Sequence, residues 1–415
     1  MWHTPTSLTL RGRLFVAAGF SIAFTAWFSG QDGLVPVGVL LIALPVLATV
    51  SLARMNPDLH LHRTVRPPMI GVGQQGSAEL VLTNRSSRPT SVQLIAEAMP
   101  DALGSPPRFV VASLGAGDRR VLRYRFVATQ RGRHRLGPAT VEFSDPYGLV
   151  VRRNRFTSFN EVTVTPRVIP LSPLSASGAW AGAGDNRPRS FATGSAEDVT
   201  VREYRDGDDL RRVHWRSSAR VGALMVRREE QPWHLRATVY LDNREVAHHG
   251  QGATSTFERA VEAAASVAAH LLGAGFTVRL VTAFGEHHRP DWHAQERSAQ
   301  LSGLLEQLAV LTPTRRTEPD ARWLSDPERD GLVVAVLGQV VDGDAPFLAR
   351  LGIRASATLA LCLRSQGEDP AAHPLGPGIT GWRGVSVLPD DDLGERWAAL
   401  EAPSTVRGTS PWRPR

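Results

Sequence analysis

Two charge-free apolar runs near the start constrain this chain more than any other feature. Residues 14–29 and 34–53 contain no Asp, Glu, Lys, Arg or His. As helices, runs of this length reach roughly 24–30 Å, against a hydrocarbon core of about 30 Å. Gln31-Asp32-Gly33 supplies a polar turn between them. Pro36 falls in the first turn of the second run, where its missing N–H is no loss, whereas Pro45 lies inside and predicts a kink. A cleaved signal peptide would share the basic start at Arg11 and Arg13, but no small-residue cleavage site follows Phe28 and a second apolar run comes almost at once. The pattern predicts a two-helix transmembrane hairpin that meets the lipid bilayer through residues 14–53. Arg11 and Arg13 precede it, Arg54, Arg63 and Arg66 follow it, and the turn carries no basic residue. By the positive-inside rule both ends are cytoplasmic. The expectation is a multi-pass protein of the plasma membrane with its soluble body in the cytoplasm.

Composition narrows the chemistry of that body. The 415 residues contain 47 basic side chains, and every one is arginine. The absence of lysine excludes the Walker A phosphate loop, Schiff-base chemistry and a lysine general base. Because arginine stays protonated, the sequence pI of about 10.6 overstates how basic the chain is. The single cysteine, Cys362, excludes an intrachain disulfide framework and any multi-cysteine zinc or iron–sulfur centre.

Residues 59–169 alternate apolar and polar positions in short runs, such as 78–83, 121–127 and 139–143, separated by Gly-, Asn- and Pro-rich turns. This predicts an antiparallel β-sandwich of immunoglobulin-like type, spanning residues 55–170. Asp145-Pro-Tyr-Gly-Leu149 reads as a structural type I turn. A Ser/Ala/Gly-rich linker follows at 171–196. After residue 234 the period changes. Apolar strand patterns at 235–241, 276–282, 331–337 and 355–363 alternate with helical patterns at 255–272, 294–308 and 391–400, so residues 235–401 read as an α/β domain with a parallel sheet. Residues 402–415 form a tail after the preceding hairpin (1–54), sandwich, linker, connecting segment (197–234) and α/β domain.

The connecting segment is the most concentrated polar stretch. Residues 197–230 hold eight Arg and eight Asp or Glu, a balance that excludes a nucleic-acid patch. Val199 and Val201 read as a strand, Asp208 as an N-cap with Asp209 at the positive helix end, Leu210 and Val213 as one or two helical turns, and 223–226 as a returning strand. Three roles compete: an ion-pair lattice between domains, a docking surface for another protein, and catalysis through His214 with Asp208 or Asp209. Ser217 and Ser218 lack the G-x-S-x-G setting of a nucleophile, and an EF-hand fails because its twelfth position from Asp206 is Ser217. Asp208, Asp209 and Arg212 are assigned to structure. Tyr204, Arg205, His214, Trp215 and Arg216 complete the interaction or inter-domain set, with Tyr204, His214, Trp215 and Arg216 nearer an exposed edge.

The run from Arg202 to Glu230, with Arg131-Gly-Arg-His-Arg-Leu-Gly-Pro138, the turn at 145–149 and the N-terminal hairpin, resembles the bacterial family catalogued as domain of unknown function 58. That resemblance implies a von Willebrand factor A-like C-terminal domain, a neighbouring MoxR-type AAA+ ATPase as partner, and often a membrane transglutaminase-like protein. Von Willebrand A domains commonly hold Mg²⁺ at D-x-S-x-S after their first strand. Here the stretch is Asp242-Asn-Arg-Glu-Val246, which keeps Asp242 but replaces both serines, by Arg244 and Val246. The Asp-Gly expected after the third apolar strand reads Leu337-Gly-Gln-Val. Asp242 is therefore read as a degenerate metal position, with no metal and no other cofactor. His287, His288 and His293 are read as solvated loop histidines. The functional expectation is a non-enzymatic, membrane-anchored adaptor or scaffold acting with the ATPase in envelope or membrane-complex assembly. The alternatives are a metal-dependent adhesion-type ligand-binding domain and a hydrolase using the His214 region.

Overall fold

The computed structural model describes residues 2–3, 6–54, 58–173, 200–204, 215–228, 236–288, 297–325, 330–367, 374–376 and 379–401. They divide into two compact units, residues 1–167 with 305–311, and residues 168–304 with 312–415.

The first unit opens with two short strands, β1 (Trp2–His3) and β2 (Ser7–Leu8), then helices α1 (Leu10–Ser29) and α2 (Val35–Arg54). Both helices are long and apolar enough to cross a membrane. They pack closely because each contributes a glycine at the crossing. A β-carbon at Gly19 would stand 2.8 Å from the Gly38 carbonyl oxygen, and one at Gly38 would stand 2.9 Å from that of Gly19. Helix α2 runs through Pro45 without a break in its helical assignment. Large apolar side chains remain exposed along both helices, among them Phe20, Trp27, Phe28, Leu40 and Leu47.

Ten strands follow: β3 (Leu59–Arg66), β4 (Met69–Gly71), β5 (Gln75–Asn84), β6 (Gln93–Glu97), β7 (Arg108–Val111), β8 (Arg119–Val127), β9 (Gly132–Leu136), β10 (Ala139–Ser144), β11 (Val150–Arg155) and β12 (Asn160–Thr165). They form three sheets. One has the order β11-β10-β6-β7 with β1 and β2 added on β11, the second is β3-β5-β8, and the third is β4-β12-β9; every pair is antiparallel except β4 with β12. Strand β5 alternates along its length between buried and less buried residues, as its period-2 sequence requires. Two apolar clusters result, one around Leu82, Ile95, Val141 and Phe143, the other around Leu80, Phe126, Leu136 and Val162. One ion pair is sealed inside: Arg63 Nη2 lies 2.6 Å from Glu97 Oε1, with both side chains fully buried.

The helices are tied to this β-rich unit at both ends. The Thr9 hydroxyl accepts from the Gly12 N–H, capping α1, and donates to the Gly148 carbonyl at 2.7 Å. The Thr9 N–H donates to the Leu149 carbonyl. At the other end, Arg152 donates to the Leu52 carbonyl in the last turn of α2, while Leu44, Ala48 and Leu52 pack into the first apolar cluster. The turn at 145–149 forms as its residues predict. The Gly148 N–H bonds to the Asp145 carbonyl, and the Asp145 carboxylate accepts from the N–H groups of Tyr147 and Val150.

The second unit begins with a two-stranded antiparallel ribbon, β13 (Thr200–Glu203) and β14 (Met225–Arg228), flanking helix α3 (Trp215–Val221). Its centre is a six-stranded sheet of β15 (Arg236–Leu241), β16 (Thr277–Thr282), β17 (Gly285–His288), β18 (Asp330–Leu337), β19 (Ala355–Leu363) and β20 (Arg383–Val387). The order is β17-β16-β15-β18-β19-β20, parallel except for β17. Helices α4 (Thr256–Gly273), α5 (Arg297–Val310), α6 (Ala345–Ile353) and α7 (Leu393–Glu401) alternate with these strands in the chain, residues 305–311 counting with the first unit. Ser255 caps α4 by accepting from the Glu258 N–H. The periodicity finds β15, β16, β18, β19, α4, α5 and α7 but not β17, α6 or β20. These three are short elements of four, nine and five residues whose pattern is too brief to stand out. The thiol of Cys362 is buried in β19, and burial pushes it up to about 12, so it is a core group.

The tie between α1 and the turn yields a prediction. A β-carbon at Gly12 would stand 2.2 Å from the Leu149 carbonyl oxygen. Gly12→Val should therefore lower the unfolding free energy of the detergent-solubilised chain by about 1–3 kcal/mol, the usual cost of overpacking. Gly33→Ala, at a position where a β-carbon meets nothing within 4 Å, is the control. Equal unfolding midpoints for the two variants would contradict the close approach.

Candidate functional site

The sheet order places the point of topological reversal between β15 and β18. From β15 the chain moves outward through β16 and β17, and from β18 it moves the other way through β19 and β20. In open α/β sheets the crevice outside the carboxyl ends of such strands is the usual ligand position. Here those ends carry Asp242 and the loop after β15 on one side, and Gly338, Gln339 and the turn at 342–344 on the other.

Arg244 occupies the centre of this position. Its guanidinium uses all five N–H donors. Nε donates to Asp242 Oδ1 at 2.9 Å, and Nη2 donates to Asp242 Oδ2 at 2.7 Å and to Asp344 Oδ2 at 2.8 Å. Nη1 donates to Asp344 Oδ1 at 2.7 Å and to the Thr317 carbonyl at 2.8 Å. Arg244, Asp242 and Asp344 are all buried, at 2, 1 and 4% exposure. Burial opposes the charged guanidinium, but the hydrogen bonds and negative charges of the two carboxylates outweigh it and hold Arg244 firmly protonated. One cation between two carboxylates leaves an excess negative charge. The Arg244 N–H to Asp242 and the Val341 N–H to Asp344 offset it, as does the start of α6 directly after Asp344.

The surrounding loop closes the crevice. The Gln339 N–H donates to the Ala247 carbonyl at 2.7 Å, and a β-carbon at Gly338 would stand 1.9 Å from that same oxygen. Asn243 fixes the other side, donating to the Thr312 carbonyl and accepting from the Ala283 N–H. The cavity that remains beside Tyr240, Asp242, Arg244 and Asp344 is ≈ 10 Å³. A single water needs roughly 10–15 Å³, so no small-molecule ligand fits this space. The space between the two carboxylates is taken by the Arg244 side chain. Asp344 is the residue that sequence reasoning missed. The Asp-Gly was sought directly after Leu337, but Asp342-Gly-Asp344 stands a few residues later, at the start of α6.

His248 completes the rear of the site. Its Nε2 lies 2.7 Å from the Asp242 carbonyl, which only accepts, so Nε2 carries the hydrogen; Nδ1 lies 3.2 Å from Thr256 Oγ1. Burial lowers its pKa below the usual histidine value of 6.5.

Of the predicted segment residues, Arg205, Asp208, Asp209, Arg212 and His214 lie outside the described residues, as do Leu210 and Val213 with their expected helical turns. Tyr204 directly follows the first ribbon strand, is half-buried, and its N–H donates to the Leu224 carbonyl at 2.7 Å. Trp215 begins α3 and is 70% exposed; Arg216 follows it in the same helix. Val221 and Leu224 are exposed close by in the chain. The Ser218 hydroxyl accepts from the Met225 N–H at 2.8 Å, a bond that ties α3 to β14. His287 and His288 stand in strand β17 rather than on a loop, and His293 lies outside the described residues.

These features describe a class: an α/β domain whose switch point is closed by its own arginine, in a chain with an all-β unit and two apolar helices. Residues 200–370, from the ribbon through β19, match the family described as "Protein of unknown function DUF58". None of the curated proteins matches the chain. Among solved structures it is similar to the CARDB domain of the PF1109 protein from Pyrococcus furiosus, at 21% identity over 27% of this chain and 96% of that one, with a TM-score of 0.21. It is also similar to a chain of the complex of Zinc 2-glycoprotein and Prolactin inducible protein from human seminal plasma, at 12% identity over 27% and 98%, with a TM-score of 0.21. A β-glucosidase from Listeria innocua shows 16% identity over 27% and 16%, with a TM-score of 0.17. At such TM-scores these likenesses carry no argument about the chain.

Two predictions come from the site. Arg244→Ala leaves two buried carboxylates facing one another and should cost about 3–5 kcal/mol of unfolding free energy. Arg244→Lys should recover only part of it, because an ammonium cannot supply the planar fork. Full recovery with lysine would show that charge alone matters there. The second concerns pH. An unfolded His248 titrates near 6.5, and the folded one titrates lower, so below pH about 6.5 the unfolded state binds the extra proton. Stability is then complete above about 6.5 and falls as pH drops through the folded value, by at most about 1.4 kcal/mol per pH unit for this residue. His248→Gln should flatten that acid limb in melting curves, with His270, also lowered by burial, accounting for a remainder. An unchanged acid limb would remove His248 from the acid response.

Proposed function

We propose that the protein is a membrane-anchored, non-enzymatic adaptor whose α/β domain is von Willebrand factor A-like and works without a metal. The observation that carries this reading is the Arg244 guanidinium, with all five donors bonded and fixed between Asp242 and Asp344 at the switch point. A domain that recognises ligands through a cation needs that position open, whereas here it is filled and the crevice around it is shut. Recognition then falls to the outer surface. The ribbon module offers Trp215, Val221 and Leu224, an exposed aromatic and aliphatic set of the kind that forms interface hot spots.

The helices α1 and α2 supply the anchor. Their exposed apolar side chains match lipid rather than water, and the arginines on either side favour a reading of two spans with both ends cytoplasmic. The partner follows from the family resemblance alone: a MoxR-type AAA+ ATPase, with a membrane transglutaminase-like protein as a further member of the assembly. The adhesion-type, metal-dependent reading is disfavoured by Arg244.

One experiment addresses partner and topology together. The full chain with a C-terminal fluorescent protein is captured from solubilised membranes of its own cells. The expected outcome is a fluorescent fusion that retains an AAA+ ATPase, with capture by Trp215→Ala reduced roughly fivefold, equivalent to about 1 kcal/mol. A dark fusion, with alkaline phosphatase active in its place, reverses the topology. Capture without any ATPase removes that partner, and undiminished capture by Trp215→Ala moves the docking surface off the ribbon.

A further inference from the structure

A cavity of ≈ 730 Å³ opens in the first unit where α2 meets the loop between β5 and β6. Its lining mixes two chemistries. Leu47 and Val50 of α2 and Phe143 of β10 supply apolar lining, and Arg54 at the end of α2 and Arg88 of the loop supply two guanidinium groups. Among the described residues no acidic side chain lines it. Arg54 and Arg88 are both exposed, and among the described residues neither has a carboxylate partner. The Ser91 hydroxyl, also in the lining, is buried and makes no hydrogen bond among the described residues.

The loop that presents Arg88 is held in place from below. Asn84 is fully buried, and its amide nitrogen donates to the carbonyls of Arg88, Leu114 and Gly115 at 2.9, 3.1 and 3.0 Å. Its oxygen accepts from the Ser86 N–H at 3.0 Å. The arrangement exists before any ligand arrives, which spares a ligand the cost of ordering it.

Two guanidinium groups without a carboxylate select an anion, and arginine is the side chain best matched to phosphate. The apolar lining adds a second requirement. Leu47 and Val50 are exposed and continue the apolar surface of α2, so a free phosphate would leave them wet, whereas an amphiphile would cover them. The volume falls in the usual 300–1,000 Å³ range of organic ligand pockets. We propose that this cavity binds the headgroup of an anionic phospholipid, its phosphate between Arg54 and Arg88 and the start of an acyl chain along Leu47 and Val50. The proposal rests on the reading of α1 and α2 as membrane helices.

The test uses the full chain reconstituted into vesicles of phosphatidylcholine, alone or with a minor fraction of phosphatidylglycerol. Lipids retained after mild resolubilisation are counted by native mass spectrometry. The expected result is entry into both vesicles, with phosphatidylglycerol enriched several-fold over its bulk share. Arg54→Gln and Arg88→Gln should each lower that enrichment roughly fivefold, the equivalent of about 1 kcal/mol for one arginine at an anionic surface. Both variants should melt with the wild type, since both side chains are exposed. Failure to enter either vesicle overturns the membrane reading and this proposal with it. Entry into both without enrichment, or enrichment that survives both substitutions, overturns the pocket alone. Displacement of the retained lipid by inorganic phosphate assigns the site to a free anion and overturns the lipid.

Discussion

The second unit is organised around a charge held inside it. Two carboxylates at the carboxyl ends of neighbouring strands cannot be buried together without a cation, because the penalty for unpaired buried charge is severe. Arg244 supplies that cation from the same loop as Asp242, and it reaches Asp344 a hundred residues further on. The loop after β15 is thereby drawn over the end of β18, where Gly338 admits the Ala247 carbonyl. A side-chain cation differs from a bound metal in one functional respect: it has no open coordination position and cannot be removed. A domain so built keeps the frame of a ligand-binding α/β sheet while closing the place where such sheets usually bind.

The first unit solves a different problem, the attachment of two apolar helices to a β-rich body. It uses backbone groups that helices leave unsatisfied. Thr9 serves the free N–H groups at the start of α1 and at the same time joins them to the 145–149 turn. Arg152 serves a free carbonyl at the end of α2. Because Leu44, Ala48 and Leu52 enter the same apolar cluster as Ile95 and Phe143, the last turns of α2 belong both to the helical pair and to the β-rich core. The mixed apolar and cationic cavity beside Leu47 and Arg54 is a product of that overlap.

Much of the architecture was legible in the sequence. The apolar runs gave α1 and α2 because nothing but length and composition decides them. The period-2 runs at 78–83, 121–127 and 139–143 became β5, β8 and β10, and the apolar strands and the long helix at 256–273 appeared where their periods placed them. The elements that did not show were β17, α6 and β20, of four, nine and five residues, whose patterns do not stand out from their surroundings. In the 197–234 segment the sequence indicated two strands, and β13 and β14 pair there. The turns expected at Leu210 and Val213 lie outside the described residues, and α3 covers Trp215–Val221.

The candidate site divides along the same line. The sequence by itself determined that the serines of a metal motif are absent, that Asp242 remains, and that Arg244 stands two residues after it, for these are local facts of residue type and spacing. It also determined that the basic charge is all arginine, the one side chain whose planar fork can grip two carboxylates at once. Only the tertiary structure decided that Arg244 turns inward between two buried carboxylates, and that Asp344 is its second partner. The reason is physical. Residues 242 and 344 become neighbours only when β15 and β18 pair in parallel, and the direction of a guanidinium is set by where the buried carboxylates lie, which no local pattern encodes.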